Sequence, residues 1–492
     1  MSPEAVIALA FLVFEYILRF IAIGTVPENR RPSSGTAWLL LILIVPAAGF
    51  LLFALIGSPF VHGRRHRLQQ AANKAIEDYV GDHPLVPEQL PTTSGFARLV
   101  QLNRELTSMP CVPGHIQGLH AGYDESIRAI TEAIGKARTY VNLEIYILAL
   151  DKTTEPMFDA LAEAVRRGVK VRVLFDQIGS HKYPGRRAMK RRMDEAGIEF
   201  YEMMPIDLLR GRWRRPDLRN HRKLVVVDGV VGFMGSQNMI DSSYLMPKNR
   251  RAGRHWVDTN IEVTGEIVQS LDAVFATDWL TESGEEVFDV DADYSDALAT
   301  RPDVTLEGPE VPMQLVPSGP GFPTEPNLRQ FTSMLYMAQR HVAIVSPYFV
   351  PDESLLAAIT TASYRGVVVE LFASEQADQF MVHHAQRSYY QGLLEAGVRI
   401  HLYPKPAVLH TKLVTVDRHL GLIGSSNMDM RSFALDYEIM LLGLGDEFTD
   451  QLDDIVADYR ARSKEITLEE WRQRPWHERY LDNALRITSA LQ

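Results

Sequence analysis

Two apolar runs open the chain and set its start apart from the rest. Residues 37–56 carry no charge and are long enough to cross a bilayer as one helix. Pro46 and Gly49 interrupt that run, which membrane helices tolerate better than soluble ones. Residues 5–23 form another apolar run, but one that holds Glu15 and Arg19, four apart and able to pair on one helix face. Charge inside a span is costly and turns toward protein or the interface. The pattern predicts a transmembrane helix here too, with a re-entrant or interfacial helix as the other reading. A cleaved signal peptide is disfavoured: no basic stretch precedes the run and no small-residue cleavage pattern comes after it.

Beyond residue 60 the pattern changes. Residues 61–115 mix polar helical sequence with Pro84, Pro87, Pro91, Pro110 and Pro113, and read as a linker with a short lead-in. Helical and strand periods then alternate. Residues 127–134 are helical, 140–147 alternate like a strand, and 157–167 form an amphipathic helix stopped by Gly168. A strand at 169–175 comes next, then a basic helix at 186–195 that stops at Gly197 and leads into 198–201. The same order returns: 341–349, 365–372 and 395–400 retrace 140–147, 167–174 and 195–200, with Tyr348 in the place of Tyr146. This predicts an α/β fold with helices on both sheet faces. The boundaries are a membrane hairpin at 1–60, a lead-in at 61–115, a first repeat at 116–280, an acidic Pro-rich linker at 281–312, and a second repeat with a helical tail at 313–492.

Each repeat carries one polar signature on a strand. In the first, His221 and Lys223 lie two apart, so they project to one face while residues 224–227 bury the strand. Asp228 ends it, and Gly235, Ser236 and Asn238 come after. In the second, His410, Lys412, Asp417, Gly424, Ser425 and Asn427 recur at identical spacing. One His-x-Lys would mean little; two full copies in register are not a chance event.

This duplicated His-x-Lys-x4-Asp-x6-Gly-Ser-x-Asn resembles the signature of the phospholipase D superfamily. The flanks Arg219-Asn220 and Met428-Asp429-x-Arg431-Ser432-Phe433, with Arg30-Arg31-Pro32-Ser33-Ser34 ahead of Ala37-Trp38, resemble bacterial cardiolipin synthases. The resemblance covers nearly the whole chain. It implies two tandem phospholipase D-like repeats in a pseudo-twofold arrangement behind a transmembrane hairpin. It implies phosphatidyl transfer between two phosphatidylglycerols, giving cardiolipin and glycerol through a phosphatidyl-histidine. A hydrolytic phospholipase D or another phosphatidyltransferase is the alternative, and a membrane-tethered nuclease a more distant one. The implied catalytic set is His221, Lys223, Asp228, His410, Lys412 and Asp417, with His221 as nucleophile and His410 as acid.

The residues themselves fit that chemistry. Phosphodiester exchange needs a nucleophile on phosphorus and a proton for the departing alkoxide, and two imidazoles can divide the work. Lys223, Lys412, Asn238 and Asn427 supply fixed charge and donors for the phosphoryl oxygens. No cofactor or metal is expected. Taken alone, the residues do not say which histidine attacks. Asp228 and Asp417 read first as strand-end carboxylates bonding nearby backbone. Ser236 and Ser425 either orient substrate or close the turn. A catalytic histidine also needs an acceptor on its other nitrogen. Glu438 stands where the resemblance places one. The matching stretch of the first repeat, aligned as 257–261 on 435–439, sets Asn260 opposite Glu438, which leaves Asp258 as the candidate there. Tyr146 and Tyr348 read as strand packing or pocket lining.

Net charge is −11, which argues against a protein that coats nucleic-acid phosphates. The single cysteine, Cys111, excludes an internal disulfide and a thiolate metal cage. Arg64, Arg65 and Arg67 behind the second apolar run place the catalytic part in the cytoplasm, with Arg30 and Arg31 pulling the other way. The expected setting is a multi-pass protein of the cell membrane whose partners are phosphatidylglycerol and anionic lipid. Basic runs at 186–192 and 210–215 stand out in this acidic chain. The first reads as a solvated helix face, the second, around Trp213, as an anionic-membrane contact.

Overall fold

The computed structural model describes residues 2–28, 32–57, 95–206, 215–287, 294–306, 308–322 and 324–487, together with Lys74 and Pro84. Arg30, Arg31, Arg64, Arg65, Arg67 and the stretch around Trp213 lie outside the described residues. The chain divides into two compact units, residues 1–66 with 206–217, and residues 67–205 with 218–492.

In the first unit, α1 (Pro3–Thr25) is a 23-residue helix, long and apolar enough to cross a membrane, with mean hydropathy 2.3 in its best window. Ser2 caps its N-terminus by accepting from the Ala5 N–H. Glu15 and Arg19 pair at 3.6 Å, and Arg19 also donates to the Leu43 carbonyl at 3.3 Å. The run expected as one helix over 37–56 is two shorter helices instead, α2 (Pro32–Ile44) and α3 (Pro46–Leu52). The cause is Pro46, which has no N–H to give and starts a new helix after Val45 leaves helical angles, at φ −130 and ψ 79. α3 then packs closely on α2. A Cβ on Gly49 would come within 3.0 Å of Ile42 Cα, so only glycine allows that approach.

The second unit is built on strands. Its first half has β1 (Cys111–His120), β2 (Tyr140–Ile145), β3 (Lys170–Asp176), β4 (Glu199–Met203), β5 (Arg219–Asn220), β6 (Lys223–Val227), β7 (Val231–Gly235), β8 (Trp256–Val257) and β9 (Asn260–Thr264). Its second half has β10 (Val311–Ser318), β11 (His341–Val345), β12 (Phe349–Val350), β13 (Val368–Ser374), β14 (Arg399–Tyr403), β15 (Val408–Leu409), β16 (Leu413–Val416), β17 (Leu420–Gly424), β18 (Met428–Asp429), β19 (Asp436–Leu444) and β20 (Lys464–Ile466). Among the described residues sixteen of them form one large sheet, while β12 with β18 and β8 with β15 make two separate pairs. From the central β1–β10 pair the order runs β9, β7, β6, β2, β3, β4 one way and β19, β17, β16, β11, β13, β14, β20 the other. The two halves therefore repeat one connectivity outward from the middle.

β6 and β7 are buried throughout, as apolar central strands covered on both faces are. Helix Glu155–Arg166 ends where Gly168 takes φ +90, and the matching turn in the second half has Gly366 at φ +88. The lead-in contributes more than a linker. Helix Gly95–Thr107 sits there, and β1 starts at Cys111 and lies mid-sheet, between β9 and β10. The acidic stretch at 281–312 also packs: Tyr294 and Arg301 are buried, and the Gly265 N–H donates to Tyr294 Oη at 2.7 Å.

Candidate active site

The two signatures meet because short strands cross between the halves. β5 pairs with β19, setting Arg219 beside Asp436 and Asn220 beside Tyr437. β8 pairs with β15, setting Val257 beside Leu409. Each histidine then donates its backbone N–H to the other half: His221 to the Tyr437 carbonyl at 2.8 Å, His410 to the Val257 carbonyl at 2.7 Å. The next residue in each receiving strand is a carboxylate, Glu438 and Asp258.

Those carboxylates hold the imidazoles crosswise. His221 Nδ1 lies 3.0 Å from both Glu438 oxygens and 3.1 Å from the Ser425 carbonyl. His410 Nδ1 lies 2.6 Å from Asp258 Oδ1. With Nδ1 engaged, Nε2 is left as the reacting nitrogen of each ring. The alignment that sets Asn260 opposite Glu438 does not hold in the fold. The Ser236 N–H donates to the Thr259 carbonyl and the Ser425 N–H to the Ile439 carbonyl, so Asp258 matches Glu438 and Asn260 matches Met440. Asn260 instead donates to Ser126 Oγ at 2.9 Å.

The serines take up the same carboxylates. Ser236 Oγ donates to Asp258 at 2.6 Å and Ser425 Oγ to Glu438 at 2.5 Å, which holds each carboxylate in place. Lys223 Nζ and Lys412 Nζ each donate to the carbonyl of their own histidine at 2.6 Å. Asn238 accepts from the Ile147 N–H and donates to Tyr244 Oη, tying its loop down. Asn427 donates to Ser432 Oγ at 3.3 Å, and its Oδ1 is buried with no protein donor among the described residues. Tyr146 stands edge-on to His221 at 4.9 Å between ring centres, and Tyr348 to His410 at 6.4 Å.

Asp228 and Asp417 belong elsewhere. Placed with the catalytic set by resemblance, both sit at the far ends of their strands, about 17 Å from the lysine position at ~3.3 Å per residue. Asp228 accepts from the Arg138, Thr139 and Tyr140 N–H groups, from Thr139 Oγ1 and from Arg301 Nη1. Asp417 accepts from the Gln339, Arg340 and His341 N–H groups. They clamp the turns that lead into β2 and β11.

Sequence reasoning missed the residues that brace the crossing. Arg222, the middle residue of the first His-x-Lys, is buried, ion-paired to Asp278, and donates to the Glu438 carbonyl at 3.2 Å. Thr411, its counterpart, meets Thr259 Oγ1 at 3.0 Å and Tyr459 Oη at 2.8 Å. Their side chains point away from the histidine and lysine, as alternate positions do; that period was the one signal available.

Burial sets the electrostatics. It pushes Lys223 down to about 8 and Lys412 down to about 7. Burial, then the charges of Lys223, Lys412 and His410, hold His221 well below the usual imidazole value. His410 is lowered by burial and Lys412, while Asp258 pulls it back up. Burial acts to raise Asp258, but His410 and Lys412 outweigh it and keep the group below its ordinary value. Glu438 goes the other way, pushed up to about 7 by burial against the pull of Lys223 and Ser425. The site is thus asymmetric. The firm carboxylate charge faces His410, so His410 holds a proton better than His221 does. Among the described residues no His, Cys, Asp and Glu group has the arrangement of a metal site.

Comparison with known proteins matches this architecture. The family model described as "Cardiolipin synthase, PLD-like domain" matches residues 130–279 and 331–459. Cardiolipin synthase A of Proteus mirabilis (strain HI4320) is 33% identical over 98% of this chain and 98% of its own length. The cardiolipin synthase of Geobacillus kaustophilus (strain HTA426) is 33% identical over 96% of this chain and 91% of its own. Among solved structures, the phosphatidylserine synthase of Haemophilus influenzae Rd KW20 superposes with a TM-score of 0.59 at 17% identity, covering 80% of this chain and 99% of that one, a likeness of fold.

Proposed function

The chain belongs to the cardiolipin synthase family of phospholipase D-like proteins, and we propose that it joins two phosphatidylglycerols into cardiolipin and glycerol at the crossed histidine site. The observation that carries this reading is the pair of reciprocal contacts, Glu438 on His221 and Asp258 on His410. They make one site out of two repeats, related in our reading by a pseudo-twofold axis.

The difference between the two carboxylates supports a division of roles, which we propose as follows. Neutral His221 attacks phosphorus through Nε2. Protonated His410, steadied by Asp258, gives its proton to the departing glycerol oxygen as the phosphorus–oxygen bond breaks. The phosphatidyl group is now on His221. Neutral His410 then takes the proton from a hydroxyl of the second phosphatidylglycerol, that oxygen attacks phosphorus, and the phosphorus–nitrogen bond breaks. Lys223 and Lys412 regain full charge when an anionic phosphodiester enters, and stabilise the equatorial oxygens with the Asn238 and Asn427 amides. These groups stand where a divalent ion would otherwise act, so turnover is expected to survive EDTA.

The membrane setting accords with the same reading. We place α1 across the bilayer with the broken α2–α3 run as the other arm of a hairpin, and the catalytic unit on the cytoplasmic side. Tethering concentrates the lipid acceptor around the intermediate, which favours transfer to a lipid hydroxyl over transfer to water.

The direct test is to incubate the detergent-solubilised protein with phosphatidylglycerol and identify products by mass spectrometry. Cardiolipin and glycerol in equal amounts are expected. Phosphatidic acid and glycerol without cardiolipin would mark a phospholipase D instead.

A further inference from the structure

The C-terminal helix is amphipathic in the wrong sense for a soluble surface. Trp476–Arg486 packs on helix Phe380–Glu395 through its charged side. Asp482 is buried and meets His384 Nδ1 at 2.7 Å and Arg474 at 2.7 Å, and Glu478 meets Arg387 at 2.7 Å. The outward side carries the bulk. At 100° per residue Trp476, Tyr480 and Ile487 fall within about 40° of one another, and they are 77%, 69% and 85% exposed. Exposed Arg479 and His477 flank that stripe.

The C-terminal helix is linked to the neighbourhood of His410 through its inner side. Tyr348, edge-on to His410, donates through Oη to Asp378 at 2.7 Å. Two residues on, Phe380 and Met381 are 64% and 45% exposed. The Phe380 ring lies 4.5 Å from that of His384, which is the group bonded to Asp482 on the C-terminal helix. Exposed apolar residues thus occur two positions after a partner of Tyr348, and again on the outer side of the helix whose inner side His384 meets.

We propose that the face formed by Phe380, Met381, Trp476, Tyr480 and Ile487 docks the catalytic unit on an anionic lipid bilayer and holds the cleft mouth at the headgroup layer. Tryptophan and tyrosine with a flanking arginine are the composition of a helix lying in a membrane interface. Exposed Arg479 supplies local charge complementarity to anionic lipid on a chain whose net charge is −11. The inference rests on the lipid-directed reading above for its choice of partner, and it adds a second membrane contact beyond α1.

The test uses the full chain in vesicles of phosphatidylglycerol and phosphatidylethanolamine. Trp476→Cys gives a single labelling position, because the native Cys111 is buried and burial pushes its thiol up to about 12. A polarity-sensitive fluorophore there is expected to shift to the blue in vesicles and to be quenched by bromine-bearing acyl chains. A triple variant, Trp476→Ser with Tyr480→Ser and Ile487→Ser, is expected to lose at least roughly tenfold in kcat/KM on vesicle phosphatidylglycerol. It should keep its rate on dispersed short-chain phosphatidylglycerol. A water-like, unquenched probe in vesicles would overturn the proposal. So would a probe that changes only with protein concentration and cross-links between copies, which would make this face a protein interface. The fluorescence needs no turnover. Quenching without cardiolipin production would therefore fault the proposed reaction and leave the docking face standing.

Discussion

At the scale of single residues, the site holds charge at a cost to the fold. Lys412 is buried and its ammonium is pushed down to about 7, far below the ordinary lysine value. A base lowered in the folded state destabilises fully below its folded value. The penalty fades as pH rises toward the unfolded value, where the unfolded chain also loses its proton. Lys412→Met should therefore stabilise the protein, by about 1–3 kcal/mol at neutral pH, while abolishing turnover. Thermal melts against pH check this. The gain should be largest at and below pH 7 and shrink toward pH 10, and a variant less stable than the parent at pH 7 would count against a desolvated lysine. The histidine and lysine pairs were legible in the sequence because their spacing is local and duplicated. The register of the orienting carboxylates was not. Matching 257–261 to 435–439 by residue type puts Asn260 opposite Glu438, whereas backbone bonds from Ser236 and Ser425 decide the match and give Asp258.

At the scale of elements, the aspartates of the two signatures explain how the strands are aimed. Asp228 gathers three backbone N–H groups, a hydroxyl and the buried Arg301 guanidinium onto one carboxylate. Replacing it with asparagine removes the charge that Arg301 needs and at least one acceptor. Asp228→Asn is expected to destabilise by about 2–4 kcal/mol. The folded fraction should retain most of its kcat, since the residue lies a strand's length from the histidines. Denaturant melts with activity normalised to folded protein separate the two effects; full stability with lost kcat would return Asp228 to the catalytic set. The reading of both aspartates as strand-end carboxylates came from their position after an apolar run, and Arg301 was invisible because it lies in a stretch whose prolines and acids suggested a bare linker. The second apolar run is broken, not continuous, for a related reason. Counting apolar residues gives one helix, but Pro46 withholds one N–H and the helix breaks there.

At the scale of the whole molecule, neither repeat holds a complete site. β5 and β8 each leave their own half to pair across, and each histidine is aimed by a carboxylate of the other half. The alternation of strands and helices, and the duplication, were readable from hydropathy alone. The crossing was not, because two-residue strands carry no period to detect. Central to the proposed mechanism is a division of labour in this composite site, in which we take His221 to carry the phosphatidyl group and His410 to move the protons. A p-nitrophenyl ester of phosphatidic acid tests it, because nitrophenolate departs without needing a proton. With His410→Ala, one rapid burst of nitrophenolate stoichiometric with protein is expected, followed by arrest, since the acceptor hydroxyl then lacks its base. Alkaline quenching and peptide mapping should place the adduct on His221, and His221→Ala should give no burst. A burst from His221→Ala with the adduct on His410 would reverse the roles, and steady turnover in either variant would contradict the two-histidine site.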